Sequence, residues 1–168
     1  DTASFSIKTL AAEDFPGFPH VDVQQEIAIP FSQFASMVKR VARVVSKDES
    51  RAILTGVLIT LEEARLKMVA TDSYRLAITE ADVPDAAAED FQAVISGAFL
   101  QEIASLPRSD DPLRIALAEN QIVVTYHGTV FINRRIEGNF PNYRQLLPDT
   151  YATRVSLEVD HLVAGVKR

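Results

Sequence analysis

Apolar positions along the chain recur with two periods, and the switches between them mark out elements. EIAIP (26–30) alternates apolar and polar residues as a short strand does. From 31 to 46, Phe34, Val38, Val41 and Val45 recur at i, i+4, i+7 and i+11, which predicts a helix with one apolar face. Three strand patterns follow at 53–63, 65–71 and 74–83, separated by polar or turn-forming residues. The predicted order is strand, helix, three strands.

The same order then repeats. FQAVIS (91–96) leads into a short helical pattern at 97–106, and strand patterns follow at 112–119, 121–127 and 129–138. The apolar registers match: Ile29, Phe34 and Met37 fall 66 positions before Ile95, Leu100 and Ile103, whereas Ile59, Leu61, Leu66 and Met68 fall 56 before Ile115, Leu117, Ile122 and Val124. The change of offset predicts a loop about ten residues longer in the first unit. A longer period lies over this one. Phe15-Pro16 recurs as Phe140-Pro141, and Lys39-Arg40 as Lys167-Arg168, at offsets of 125 and 128. A repeat on that scale predicts an array of domains. Residues 1–20 read as the tail of a preceding domain, 21–150 as one complete domain of two units, and 151–168 as the start of a third. Antiparallel triplets with one helix each give an α+β class, with the helices on one side of the sheets.

Composition removes several function classes. The chain has 168 residues, no cysteine and three separated histidines, His20, His127 and His161, so neither a thiolate nor a histidine metal site is expected. No cofactor is expected: Gly56, Gly97, Gly128 and Gly138 are isolated and match no phosphate-binding loop. Asp72-Ser73 lies between two strand patterns and reads as a turn, and no nucleophile, base and orienting group can be placed together. An enzyme is not expected. No apolar run is long enough to span a bilayer, and residues 1–20 carry Asp, Glu and Pro, so a cytoplasmic, membrane-free protein is expected.

Against a net charge of −6, one segment stands out. On the 31–46 helix, Lys39, Arg40, Arg43 and Lys47 are expected to cluster opposite the apolar face, and no acid occurs between Phe31 and Lys47. Such a face suits a phosphate backbone; the alternative is an ordinary solvated face. The second helix offers Gln101, Glu102 and Ser105 outward instead. Near the end, NFPNYRQLLP (139–148) is too apolar for a free linker. Packing on the domain's own sheet is expected to absorb Phe140 and one leucine.

VATDSYRLAITEADV (69–83), with RAILTGVLITLE (51–62) and RRIEGNFPNYRQLLP (134–148), resembles the bacterial sliding clamps, the beta subunits of DNA polymerase III. The likeness extends over nearly the whole chain and places it as the middle of three domains, with ends of the first and third. It implies the DNA clamp fold, with helices on the inner face of a ring and antiparallel sheets outside. It also implies a noncatalytic processivity factor that encircles double-stranded DNA, as a homodimer when full-length. The family binds polymerase, clamp loader and repair proteins through short peptides. Carried over block by block, the peptide pocket would comprise Leu54, Thr71, Ser73, Tyr74, Arg75, Leu76, Pro141, Gln145 and Leu146, with Arg75 and Thr71 at the rim of a groove formed with Leu76 and Leu54. Ser73-Tyr74 stands where Gly-His is common, Gln145 where a basic residue can occur, and Ser96-Gly97 where some members carry a basic pair. The alternative is a peptide-binding module of the same fold without DNA.

Overall fold

The computed structural model describes residues 3–14, 25–83 and 90–167. Phe15-Pro16, His20, the expected domain start at 21 and Arg168 lie outside the described residues. The chain divides into two units, Asp1–Gly138 and Asn139–Arg168.

In the first unit the elements run β1 (Gln25–Pro30), α1 (Phe31–Val41), β2 (Gly56–Glu62), β3 (Arg65–Thr71), β4 (Leu76–Asp82), β5 (Phe91–Ser96), α2 (Gly97–Ala104), β6 (Pro112–Leu117), β7 (Gln121–Tyr126) and β8 (Thr129–Arg134). The strands form two antiparallel sheets, ordered β1-β6-β7-β8 and β4-β3-β2-β5. Each triplet expected from the sequence is present, and the leading strand of each repeat pairs with the other repeat's triplet. Ile27 and Ile29 lie opposite Ile115 and Leu113, while Val57 and Ile59 lie opposite Ile95 and Ala93. The exchange leaves β2 and β6 interior and fuses the two repeats into one body.

Both helices bury their apolar stripes in the same core. Phe31, Phe34, Met37, Val38 and Val41 of α1, and Leu100 and Ile103 of α2, join Ile59, Leu61 and Met68 from one sheet and Ile27, Ile115 and Val124 from the other. Each such side chain contributes about 1.5–3 kcal/mol on burial.

Two boundaries depart from the apolar pattern. The helix expected over 31–46 ends as an α-helix at Val41 and tightens to 3-10 geometry over Ala42–Val44. Val45 is extended at φ −61° and ψ 151°, and the Ser46 amide donates to the Leu54 carbonyl at 2.8 Å, so the chain has already turned. Residues 53–55, expected to open a strand, belong to a 3-10 stretch over Glu49–Thr55. The extra ten residues of the first repeat resolve into three of helix, eleven in α1 against eight in α2, and seven of connection, 42–55 against 105–111.

Outside the repeats, residues 3–14 form no strand, only a 3-10 turn at Ala12–Asp14, and Phe5, Ile7 and Leu10 are exposed. The second unit holds a 3-10 turn at Tyr143–Leu146 and α3 (Val159–Val166). Residues 151–158, in the stretch expected to open a third domain, form no strand, and no paired neighbour for one is present among the described residues.

Candidate nucleic-acid and peptide surfaces

Lys39, Arg40 and Arg43 are exposed at the C-terminal end of α1 and its 3-10 continuation. Cations are favoured there because the terminal carbonyls carry the negative end of the helix dipole. Those carbonyls are capped by side chains. Arg43 Nε donates to Lys39 O at 2.9 Å, Gln101 Nε2 of α2 to Ala42 O at 2.9 Å, and Arg75 Nη2 to Arg43 O at 3.1 Å. Lys47 does not share this face, because the helix ends before it; it is exposed in the following turn beside Asp48. Sequence reasoning missed Arg108, which with Lys39, Ser32, Ser36, Gln101 and Ser105 lines a groove of about 480 Å³ between α1 and α2. Arg108 follows the helix, so helical periodicity carried no signal for it.

The departure at Ser96-Gly97 has a packing cause. Ser96 caps α2, its Oγ accepting from the Phe99 amide at 3.4 Å. A Cβ at Gly97 would come within 2.9 Å of Val45 Cγ1 and 3.2 Å of the Thr55 carbonyl oxygen. A long basic side chain cannot be seated there without displacing Val45.

The turn between β3 and β4 holds three of the pocket candidates, Ser73, Tyr74 and Arg75, with Thr71 and Leu76 at the strand ends beside it. Asp72 accepts from the amides of Tyr74 (3.0 Å) and Arg75 (3.1 Å) and from Arg75 Nε (3.1 Å). The Tyr74 amide, then the Arg75 amide and guanidinium, hold the Asp72 carboxyl below its ordinary value. Thr71 Oγ1 donates to Arg75 O at 2.8 Å and accepts from the Ser73 amide at 3.1 Å. Asp72-Ser73 is thus a turn, as expected. Ser73 has φ +78°, a conformation uncommon for a residue with a side chain.

What the turn presents differs in part from the expected groove. Tyr74 is 93% exposed, Arg75 is exposed and Leu76 half-buried. Thr71, expected at the rim, is only 3% exposed and ties the turn from beneath, while Leu54, expected within the groove, is 6% exposed. In the second unit Pro141, Gln145 and Leu146 are exposed. Tyr143 is the buried residue of that segment and both Leu146 and Leu147 are exposed, where one leucine was expected to be absorbed. Arg51 also escaped sequence reasoning. Its Nη1 donates to Ser73 Oγ at 3.1 Å across 22 positions of sequence.

Comparison with known proteins places this architecture. Residues 28–142 match the family described as the DNA polymerase III beta subunit, central domain. The chain is 28% identical to the beta sliding clamp of Bacillus subtilis and 26% to that of Chlamydia pneumoniae, over 99% of its own length in each case. It spans 44% and 46% of those relatives. Among solved structures, a DNA polymerase sliding clamp from Bacillus subtilis superposes with a TM-score of 0.79 at 30% identity, covering 84% of this chain and 37% of that one. The DNA polymerase III subunit beta of Pseudomonas aeruginosa gives 0.78 at 27% identity, covering 87% and 40%. With two matched strand-helix-triplet repeats and a family match over most of its length, the chain belongs to the DNA polymerase III beta subunit family, and residues 28–142 are its central domain.

Proposed function

We propose that this chain is the middle part of a sliding clamp, a ring that encircles duplex DNA without sequence preference and tethers the replicative polymerase, the clamp loader and repair proteins. On this reading residues 1–20 close a preceding domain, 21–150 are the middle domain and 151–168 open a third. The exposed apolar stripe of α3, Val159, Leu162, Val163 and Val166, supports the last of these. The whole ring is a cytoplasmic homodimer with no chemistry of its own. No helix among the described residues is long and apolar enough to cross a membrane.

The observation that carries the DNA reading is the acid-free α1 with its 3-10 continuation, which together end in exposed Lys39, Arg40 and Arg43 although the chain is acidic overall. It favours the clamp over a peptide-binding module without DNA, for which such segregation has no use. A ring holds its template by topology, so a few phosphate contacts suffice. The test is the salt dependence of duplex binding by the native polypeptide. Each neutralised phosphate contributes about −0.9 to the log–log slope, and changing Lys39, Arg40 and Arg43 to Ala should flatten it. An unchanged slope would return these residues to an ordinary solvated face.

The partner reading assigns Tyr74, Arg75 and Leu76, with Pro141, Gln145 and Leu146, to a short extended peptide with one or two hydrophobic anchors. Leu54, Thr71 and Ser73 support that surface from within the first unit. Lys47 is kept as a peripheral DNA contact beyond the helix end.

A further inference from the structure

We propose that Arg51 is a positioning residue for the partner surface, bracing the Asp72–Arg75 turn so that Tyr74 and Arg75 are displayed in one fixed orientation. The inference rests on the peptide reading above and adds to it a residue outside the turn. Three observations lead to it. Ser73 occupies φ +78° with a side chain, where glycine would sit without strain. The residue that reaches it is itself anchored: Arg51 Nε donates to Asp48 Oδ2 at 3.0 Å and Nη2 to Ser46 Oγ at 3.5 Å, leaving Nη1 for Ser73 Oγ at 3.1 Å. Asp48 is fixed in turn, its Oδ1 accepting from the Ser50 amide at 3.1 Å and the Ser50 hydroxyl at 2.6 Å.

The third observation is where this arm comes from. Arg51 lies in the Glu49–Thr55 stretch, within the longer connection that distinguishes the first repeat from the second. In the second repeat the corresponding hairpin closes through the two residues His127-Gly128, and the contact from the shorter connection is a different one, Asp111 Oδ2 meeting His127 Nδ1 at 2.8 Å. The extra connection and the longer, serine-bearing turn thus occur together and are bonded to each other. Arg51 has a non-helical backbone, φ −111° and ψ 61°, inside the 3-10 stretch. Its guanidinium acts as a fork, one edge on Asp48 and the other on Ser73, a role a single ammonium cannot fill.

The test is a double-mutant cycle on the native polypeptide, reading affinity for a fluorescein-labelled decapeptide from the C-terminal tail of the replicative polymerase. Arg51→Ala should weaken binding about three- to tenfold, as expected for loss of one ordering hydrogen bond. In a Ser73→Gly background, which removes both the hydroxyl and the strain, Arg51→Ala should cost less than about twofold. A merely stabilising arginine would lower the melting temperature alike in both backgrounds without this dependence. Arg51→Lys, keeping the charge but not the fork, should lose affinity as Arg51→Ala does. Full affinity in Arg51→Ala or Arg51→Lys, or equal losses in both backgrounds, overturns the bracing. Leu76→Ala separates the two readings: a loss there with Arg51→Ala silent overturns the bracing alone, and silence in both overturns the surface with it.

Discussion

Thr60 carries a buried side-chain oxygen with no hydrogen-bond partner among the described residues. It lies in β2, whose residues are buried from Gly56 to Leu61, so the hydroxyl is desolvated without compensation. Replacing it by the near-isosteric valine removes that cost. Thr60→Val should raise stability by roughly 1 kcal/mol, read from urea unfolding, and a lower midpoint would show that the hydroxyl is satisfied in solution. At Asp72 the same reasoning runs through charge. Its carboxyl is held below the ordinary value of 3.8 by the Tyr74 amide first and then by Arg75. A lowered pKa in the fold contributes stability above the unfolded value, and that contribution is lost as pH falls through the lower folded one. The amide resonances of Tyr74 and Arg75 should therefore hold steady from about pH 7 to pH 5 and move only in acid below 3.8. Movement near neutrality would contradict the turn as described.

Packing between elements is most sharply constrained where α2 begins. Gly97 lets the helix start close against Val45 and Thr55, and a methyl group there must push Val45 aside. Gly97→Ala should cost about 1–3 kcal/mol despite alanine's better helix propensity, as a thermal melt would report; a neutral result would mean that Val45 yields freely. Element identity was legible because period alone separates β5, β6 and β7 from the helices, and their limits differ from the apolar runs by at most two residues. The end of α1 was not legible. Just past it, Gln101 and Arg75 hold the carbonyls of Ala42 and Arg43 in the 3-10 continuation from distant parts of the chain, while Val45 keeps the apolar spacing after the helix has ended. Strand exchange between repeats was hidden for a related reason: alternation shows that Ile27 and Ile29 face a core, not which triplet they pair with. Lys39, Arg40 and Arg43 could be read from helical phase, whereas Arg51 and Arg108 act across loops, where no period exists.

At the scale of the whole molecule, the chain spans less than half the length of the sliding clamps it matches. The proposed function makes two predictions at this scale, the first for the proposed peptide surface. In the native polypeptide, Leu76→Ala and Leu146→Ala should each weaken a polymerase-tail peptide by roughly 1–3 kcal/mol in titration calorimetry. Equal binding with both leucines removed would take this site away. The second is for the proposed encirclement, which predicts a hold on DNA that depends on the template's topology more than on affinity. Its most direct measurement is retention of the loaded, labelled native protein on a nicked circular plasmid during gel filtration, before and after one restriction cut. Encirclement by this family's ring predicts co-elution with the circle and release once the DNA is linear. Equal retention on both forms, or equal loss from both, would contradict it.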